Sequence, residues 1–200
     1  MRYGMVIDLK KCVGCMACTI ACKTTNYTRP GIFWNIVKDL ELGKYPSVRR
    51  FFLPILCMHC ENAPCIEICP TGATYRRDDG IVIIDFDKCV GCKSCIESCP
   101  YGARFFNGDP NGYFGVQLTA NEKIGYEQHK VGVVEKCNFC IDRLKQGKEP
   151  ACVQTCVGKA RYFGDLDDPK SEVSKQIRGK HGFQLIKEFG TNPSVYYLPA

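Results

Sequence analysis

Cys89-Val-Gly-Cys-Lys-Ser-Cys-Ile-Glu-Ser-Cys99-Pro100 puts four cysteines into eleven residues and follows them with a proline. Around this stretch lies a chain of 200 residues, long enough for one large or two small domains with an apolar core. Its hydrophobic content of 45% is ordinary, but 16 cysteines stand at the edge of the range that marks a cysteine-built scaffold. The cysteines therefore have to be explained first.

Two simple explanations fail. The even count suits disulfides, but the N-terminal run Met1-Arg-Tyr-Gly-Met-Val-Ile-Asp-Leu-Lys-Lys11 is too short for the apolar core of a secretory leader, and none is expected. Thiols two residues apart in a tight loop are also badly placed to bridge one another. Zinc prefers paired C-x2-C hooks separated by a dozen or more residues, often with histidine. Here a third cysteine crowds the hook, and His59, His129 and His181 are the only histidines.

C-x2-C-x2-C-x3-C-P is instead the spacing of bacterial ferredoxins, whose first three thiolates hold one [4Fe-4S] cube while the fourth reaches a second. Ligands at every third residue wrap three corners of a small cube, and small residues such as Gly91 and Ser94 let backbone N–H groups approach the sulfurs. The proline ends that path, having no N–H to donate. The same pattern sorts every cysteine into four groups. Group one is Cys12, Cys15, Cys18 and Cys22; group two is Cys57, Cys60, Cys65 and Cys69. Group three is Cys89, Cys92, Cys95 and Cys99; group four is Cys137, Cys140, Cys152 and Cys156, with eleven residues in its middle gap. Four groups of four predict four [4Fe-4S] clusters. Internal repetition agrees: Gly4 to Cys15 is echoed by Gly80 to Cys92, and Cys65 to Tyr75 matches Cys95 to Phe105, with Cys152 to Tyr162 as a looser copy.

Groups two and three both end in Cys-Pro and are joined by a hairpin signal, Asp79-Gly80 between Ala73–Arg77 and Ile81–Asp85. They form the expected ferredoxin-like core, and groups one and four, followed by Lys23 and Val157, form the second pair. With fourth ligands exchanged inside each pair, the expected ligand sets are Cys12, Cys15, Cys18 and Cys156; Cys137, Cys140, Cys152 and Cys22; Cys57, Cys60, Cys65 and Cys99; and Cys89, Cys92, Cys95 and Cys69. The expected fold is α+β: two interlocked ferredoxin-like two-cluster units with inserted loops. The core covers 50–110, the second unit joins 1–49 to 130–165, 111–129 is an insert loop, and 166–200 is a C-terminal extension. The ends of the chain must then close on each other.

Elsewhere the signal is thinner. Residues 23–56 read as a loop and an edge strand at Val48–Leu53, with Trp34 packing in the core. Residues 101–136 read as an inserted loop, Ser171–Ile186 as a weakly amphipathic helix, and Tyr196–Ala200 as a tail able to dock on a neighbour. The formal charge is +6, yet each oxidised cube with four thiolates carries about −2, so the loaded protein comes to roughly −2. The basic excess thus reads as compensation for buried anions, not as a nucleic-acid patch; Lys23, Lys88, Lys93 and Arg104 near the ligands are candidates for raising potentials. No Gly-x-Gly-x-x-Gly follows a strand, no apolar run approaches the roughly 20 residues of a membrane span, and no spare thiol, histidine or carboxylate stands out as a catalyst. Such a chain reads as a wire.

The phrases Met5-Val-Ile-Asp8, Cys57-Met-His-Cys-Glu-Asn-Ala-Pro-Cys65, Cys69-Pro-Thr-Gly-Ala73, Cys137-Asn-Phe-Cys-Ile-Asp-Arg-Leu144 and Phe163-Gly-Asp-Leu-Asp-Asp-Pro169 resemble, over nearly the whole length, the iron-sulfur subunit of the dimethyl sulfoxide reductase superfamily. Small subunits of polysulfide, thiosulfate, tetrathionate and arsenate reductases are the nearest in kind. The resemblance implies a non-catalytic electron-transfer subunit beside a molybdenum or tungsten bis-pterin catalytic subunit and a quinone-linked membrane anchor, with no membrane span or nucleic acid of its own. It implies that the group-one cube faces the catalytic subunit and the group-three cube the quinone side. Nitrate reductase relatives carry tryptophan for one group-three cysteine; Cys92 is kept here, so four cubes are expected. Location follows the partner: outside the cytoplasm if co-exported with a leader-bearing catalytic subunit, otherwise inside. The same ligands would also serve a formate dehydrogenase or hydrogenase subunit, or a free-standing polyferredoxin.

Overall fold

The computed structural model describes residues 1–199. In chain order the elements are β1 (Tyr3–Asp8), α1 (Ala17–Asn26), β2 (Asn35–Lys44), β3 (Ser47–Leu56), α2 (Pro64–Glu67), β4 (Thr74–Arg76), β5 (Val82–Ile84), α3 (Ser94–Glu97), β6 (Phe105–Asn107), α4 (Ala120–Tyr126), β7 (Val133–Glu135), α5 (Ile141–Lys145), α6 (Ala151–Gln154), β8 (Arg161–Asp165), α7 (Glu172–Gly179) and β9 (Val195–Leu198). The mixture is the α+β one expected, in short pieces. Strand, ligand loop and helix recur in that order: β1 before α1, β3 before α2 and β5 before α3.

β1 is apolar on both faces and is buried between β8, antiparallel, and β9, parallel. The start of the chain therefore closes on residues 161–165 and 195–198. β4 and β5 form the predicted hairpin, turned at Gly80 (φ +80°), with the Asp79 carboxylate accepting from the Ile81 amide at 3.2 Å. β6 and β7 pair across the insert.

Four expectations change. Residues 35–44 are a strand, not a loop: β2 pairs with β3 over its whole length. Only Asn35 and Val37 of β2 are buried, so its alternation is too weak to stand out as a strand in the sequence. The insert contains α4, started by Thr119 and Glu122 satisfying each other's backbone amides in a capping box. The Ser171–Ile186 helix stops at Gly179. The C-terminal tail docks on its own chain as β9, with Tyr197 wholly buried and its hydroxyl donating to the Pro54 carbonyl at 2.6 Å; Ala200 lies outside the described residues.

Candidate functional site

All four groups build the same local shape. The residue before the second cysteine is left-handed every time: Gly14 (φ +68°), His59 (+45°), Gly91 (+67°) and Phe139 (+56°). That turn swings two thiols toward one space. The third cysteine is then the second residue of a helix in every group: Cys18 in α1, Cys65 in α2, Cys95 in α3 and Cys152 in α6. There the free amides of a first helical turn surround an anionic ligand. α2, α3 and α6 last four residues each, whether proline (Pro70, Pro100) or Val157 follows the fourth cysteine, while α1, followed there by Lys23, runs for ten.

The loops meet in crossed sets. One cavity is lined by Cys69, Cys89, Cys92 and Cys95, a second by Cys12, Cys15, Cys18 and Cys156, and a third by Cys57, Cys60, Cys65 and Cys99. Each is a small space ringed by one quartet of thiols. Cys22, Cys137, Cys140 and Cys152 are all buried, and Cys137 feels the other three thiols. The Asn26 amide lies 3.5 Å from Cys22 Sγ and 3.8 Å from Cys140 Sγ. Among the described residues, no three His, Cys, Asp or Glu side chains converge as one metal ion would require. Rings of four thiols around a space suit a cube rather than an ion.

The thiols are costly to ionise by themselves. Burial pushes Cys65 and Cys152 up to about 11 and Cys60 up to about 12, and drives Cys22 and Cys137 further. Cys69 moves the other way: burial would raise it, but amides of Thr74, Thr71 and Ala73 with the Thr71 hydroxyl outweigh that. Bound iron would supply the missing positive charge, so loading releases protons.

Of the four basic residues singled out from sequence, three are local. Lys23 donates to the carbonyls of Arg29 and Ile32 at 3.1 and 2.8 Å, Lys88 pairs with Asp85 in solvent, and Lys93 lies over the Phe106 ring. Arg104 is buried in the third cavity's wall. Arg161 lines the second cavity, and sequence reasoning did not single it out. Its signal was in the repeat: both arginines stand five residues after the last cysteine of their group, in Ala103-Arg104 and Ala160-Arg161. A buried pair also went unseen, His129 Nδ1 to Glu135 Oε1 at 2.8 Å, with His129 Nε2 at 2.6 Å from the Asn26 carbonyl. It ties the insert to α1. Trp34 is buried as expected and lines a larger cleft beside Cys140.

Comparison with known proteins gives a consistent picture. The 4Fe-4S dicluster domain family matches residues 48–114 and 116–166, and a 4Fe-4S binding domain matches residues 9–25. The chain is 44% identical to a selenate reductase subunit of Mesobacillus selenatarsenatis, over 99% of this chain and 72% of that protein. It is 42% identical to a sulfite dehydrogenase subunit of Allochromatium vinosum (99% and 83%). The arsenate respiratory reductase iron-sulfur subunit of a Shewanella is 41% identical (99% and 96%).

Proposed function

Because this chain belongs to the 4Fe-4S dicluster family, among the iron-sulfur electron-transfer subunits of dimethyl sulfoxide reductase-type complexes, we propose that it is the relay of such a complex. Its partners would be a molybdenum or tungsten bis-pterin catalytic subunit on one side and a quinone-linked membrane subunit on the other. The sixteen cysteines would hold four [4Fe-4S] clusters, which when bound supply four one-electron carriers. Residues 50–110 would carry two of them and 1–49 with 130–165 the other two. The chain would have no catalytic site of its own, and among its described residues no helix is long and apolar enough to cross a membrane.

One observation supports the ligand assignment: three cavities are each lined by one of the crossed quartets. The burial of Cys22, Cys137, Cys140 and Cys152 and the influence of the other three thiols on Cys137 support the fourth quartet. Within the relay, the protein's work is to hold four thiolates per cube at fixed spacing, so that little rearranges when charge moves.

Two quartets reach the surface. Cys15 and Cys92 are exposed; Val13 and Met16 in the loop of the first and Ile20 on α1 are exposed beside it, and Val90 is exposed in the loop of the second. These are the faces where partners would meet the chain; by family likeness the group-one end takes the catalytic subunit and the group-three end the quinone side. Relatives named for reductases and for a dehydrogenase share this frame, so the relay runs in whichever direction its partners impose.

The test is iron and acid-labile sulfide per chain, on protein purified without oxygen. About 16 of each is expected for four cubes; iron near eight, or zinc in its place, would overturn the reading. Co-purification of a pterin-containing subunit tests the partner.

A further inference from the structure

The two buried arginines occupy equivalent places in the two halves. Arg104 is 4% exposed and Arg161 5%, and each stands fifth after the last cysteine of its group. α1 packs on α6 in one half and α2 on α3 in the other, which brings together the helices that carry the third cysteines. Each guanidinium lies between them. Arg161 Nη2 donates to Cys18 Sγ at 3.4 Å and to Asn35 Oδ1 at 2.7 Å, and Nη1 lies 3.5 Å from Met5 Sδ; its charge also acts on Cys152. Arg104 Nη1 donates to Thr74 Oγ1 at 3.2 Å, and its charge acts on Cys65 and Cys57 on one side and Cys95 on the other. Its Nη2 is buried without a protein partner, in the wall of the cavity ringed by Cys57, Cys60, Cys65 and Cys99. A guanidinium N–H left unpaired in such a place costs free energy unless something anionic meets it.

We propose that Arg104 and Arg161 are positioning cations, one between the two cubes of each half, each holding up the reduction potentials of both cubes it faces. The physical reason is that a cube becomes more negative by one charge on reduction. A fixed positive charge in low dielectric favours that reduced form more than the oxidised one, and hydrogen bonds to the cysteine sulfurs act in the same direction. Arginine suits the task because it stays charged when buried and its planar fork has enough donors for two neighbours. Burial works against both charges, and the surrounding thiols outweigh it, raising both arginines. Lys88, next to Cys89 in sequence, is the contrast: its ammonium is largely in solvent, where water screens it.

The proposal rests on the cube pairing above. It is tested by redox titration of the iron-loaded full chain, each one-electron step followed by electron paramagnetic resonance. Arg104→Gln should make two of the four cubes at least tenfold harder to reduce, about 59 mV for one electron, and leave the other two unmoved; Arg161→Gln should do the converse. Lys88→Gln, which removes the same formal charge, should move every step less than twofold. No shift, an equal shift of all four, or the same two steps moved by both variants would overturn the proposal. Should a glutamine variant lose iron, the lysine variant is read instead. Iron retained with potentials near those of the parent supports a charge role; iron lost there too, or retained with a tenfold shift, shows that shape rather than charge is required. If the parent does not hold about 16 iron, the pairing has failed and not the arginines alone.

Discussion

The outer quartets, Cys12/Cys15/Cys18/Cys156 and Cys89/Cys92/Cys95/Cys69, are built differently from the inner two. The outer loops read Cys-Val-Gly-Cys, turn on glycine, and leave a cysteine in solvent. The inner loops turn on His59 and Phe139, 1% and 0% exposed, whose rings lie 3.8 Å apart between centroids. A left-handed histidine or phenylalanine costs on the order of 1–2 kcal/mol of backbone strain. Here a ring contact between the two inner loops offsets it. The difference teaches that one spacing of cysteines serves two purposes. With glycine the loop can lie flat at a surface where a partner approaches; with an aromatic it becomes the joint that holds the two halves together.

The harshest way to break this comparison is to remove a ligand from each class. Cys137→Ser should lose its cube and leave three buried thiols around an unfilled space, lowering both iron content and soluble yield severely. Cys92→Ser should leave a folded chain that has lost iron at one end only; iron analysis with circular dichroism separates the two. Equal damage would show that exposure does not matter. Crossing is probed alongside: Cys99→Ser should disturb the cube of group two, and loss of the group-three signal instead would sink the exchanged assignment.

Glycine comes next. A Cβ on Gly91 would stand 2.1 Å from the Gly132 carbonyl oxygen, which is backbone and cannot step aside; on Gly14 it would stand 2.4 Å from the Phe52 ring. Both positions also have positive φ. Gly91→Ala should therefore cost several kcal/mol and Gly14→Ala less, of the order of 1–3 kcal/mol, read by chemical denaturation of the loaded protein.

Alkali should separate iron-free from loaded protein. Thiols held at about 11 and about 12 in the folded, iron-free chain, Cys65, Cys152 and Cys60, lie above their ordinary 9.0. A raised pKa contributes stability that is complete below pH 9 and is lost as pH rises through 11 to 12. The iron-free chain should lose its remaining structure in that window, while ligated thiolates hold no proton and the loaded chain should show no such transition. Circular dichroism against pH reads both. The smallest effect is expected from Phe139→Leu, which keeps an apolar side chain but removes the ring contact with His59. About 1–1.5 kcal/mol of stability should go, with iron content unchanged; loss of iron would mean that the joint is part of a cube's wall.

The regions that sequence reading handles well are those where chemistry dictates spacing. Groups of four cysteines, the Asp79-Gly80 hairpin, and strands entering the ligand loops are legible because each rests on a local pattern. β2 is hidden because its stability comes from pairing with β3 and only two of its residues are buried. α4 escapes notice although Thr119 and Glu122 spell out a capping box, since the glycines and asparagines before it dominate the stretch. The tail reads as one able to dock on a neighbour because a short apolar run says nothing of which strand edge it will meet. Arg161 is passed over although it stands, like Arg104, five residues after the last cysteine of its group, because the group-four copy of the repeat is the looser one.

By itself, then, the sequence determined the cofactor chemistry: thiols at fixed intervals, too many and too close for zinc or disulfides, in four repeats. Its likeness to known relatives determined the family. Only the tertiary structure decided which cysteines are buried, which strands close the chain's ends on each other, and that Arg104 and Arg161 are buried beside the thiols. The reason is physical. Ligand spacing is constrained within a few residues of chain, whereas the meeting of Cys18 with Arg161, 143 positions away, or of β1 with β9, depends on how distant segments share one core.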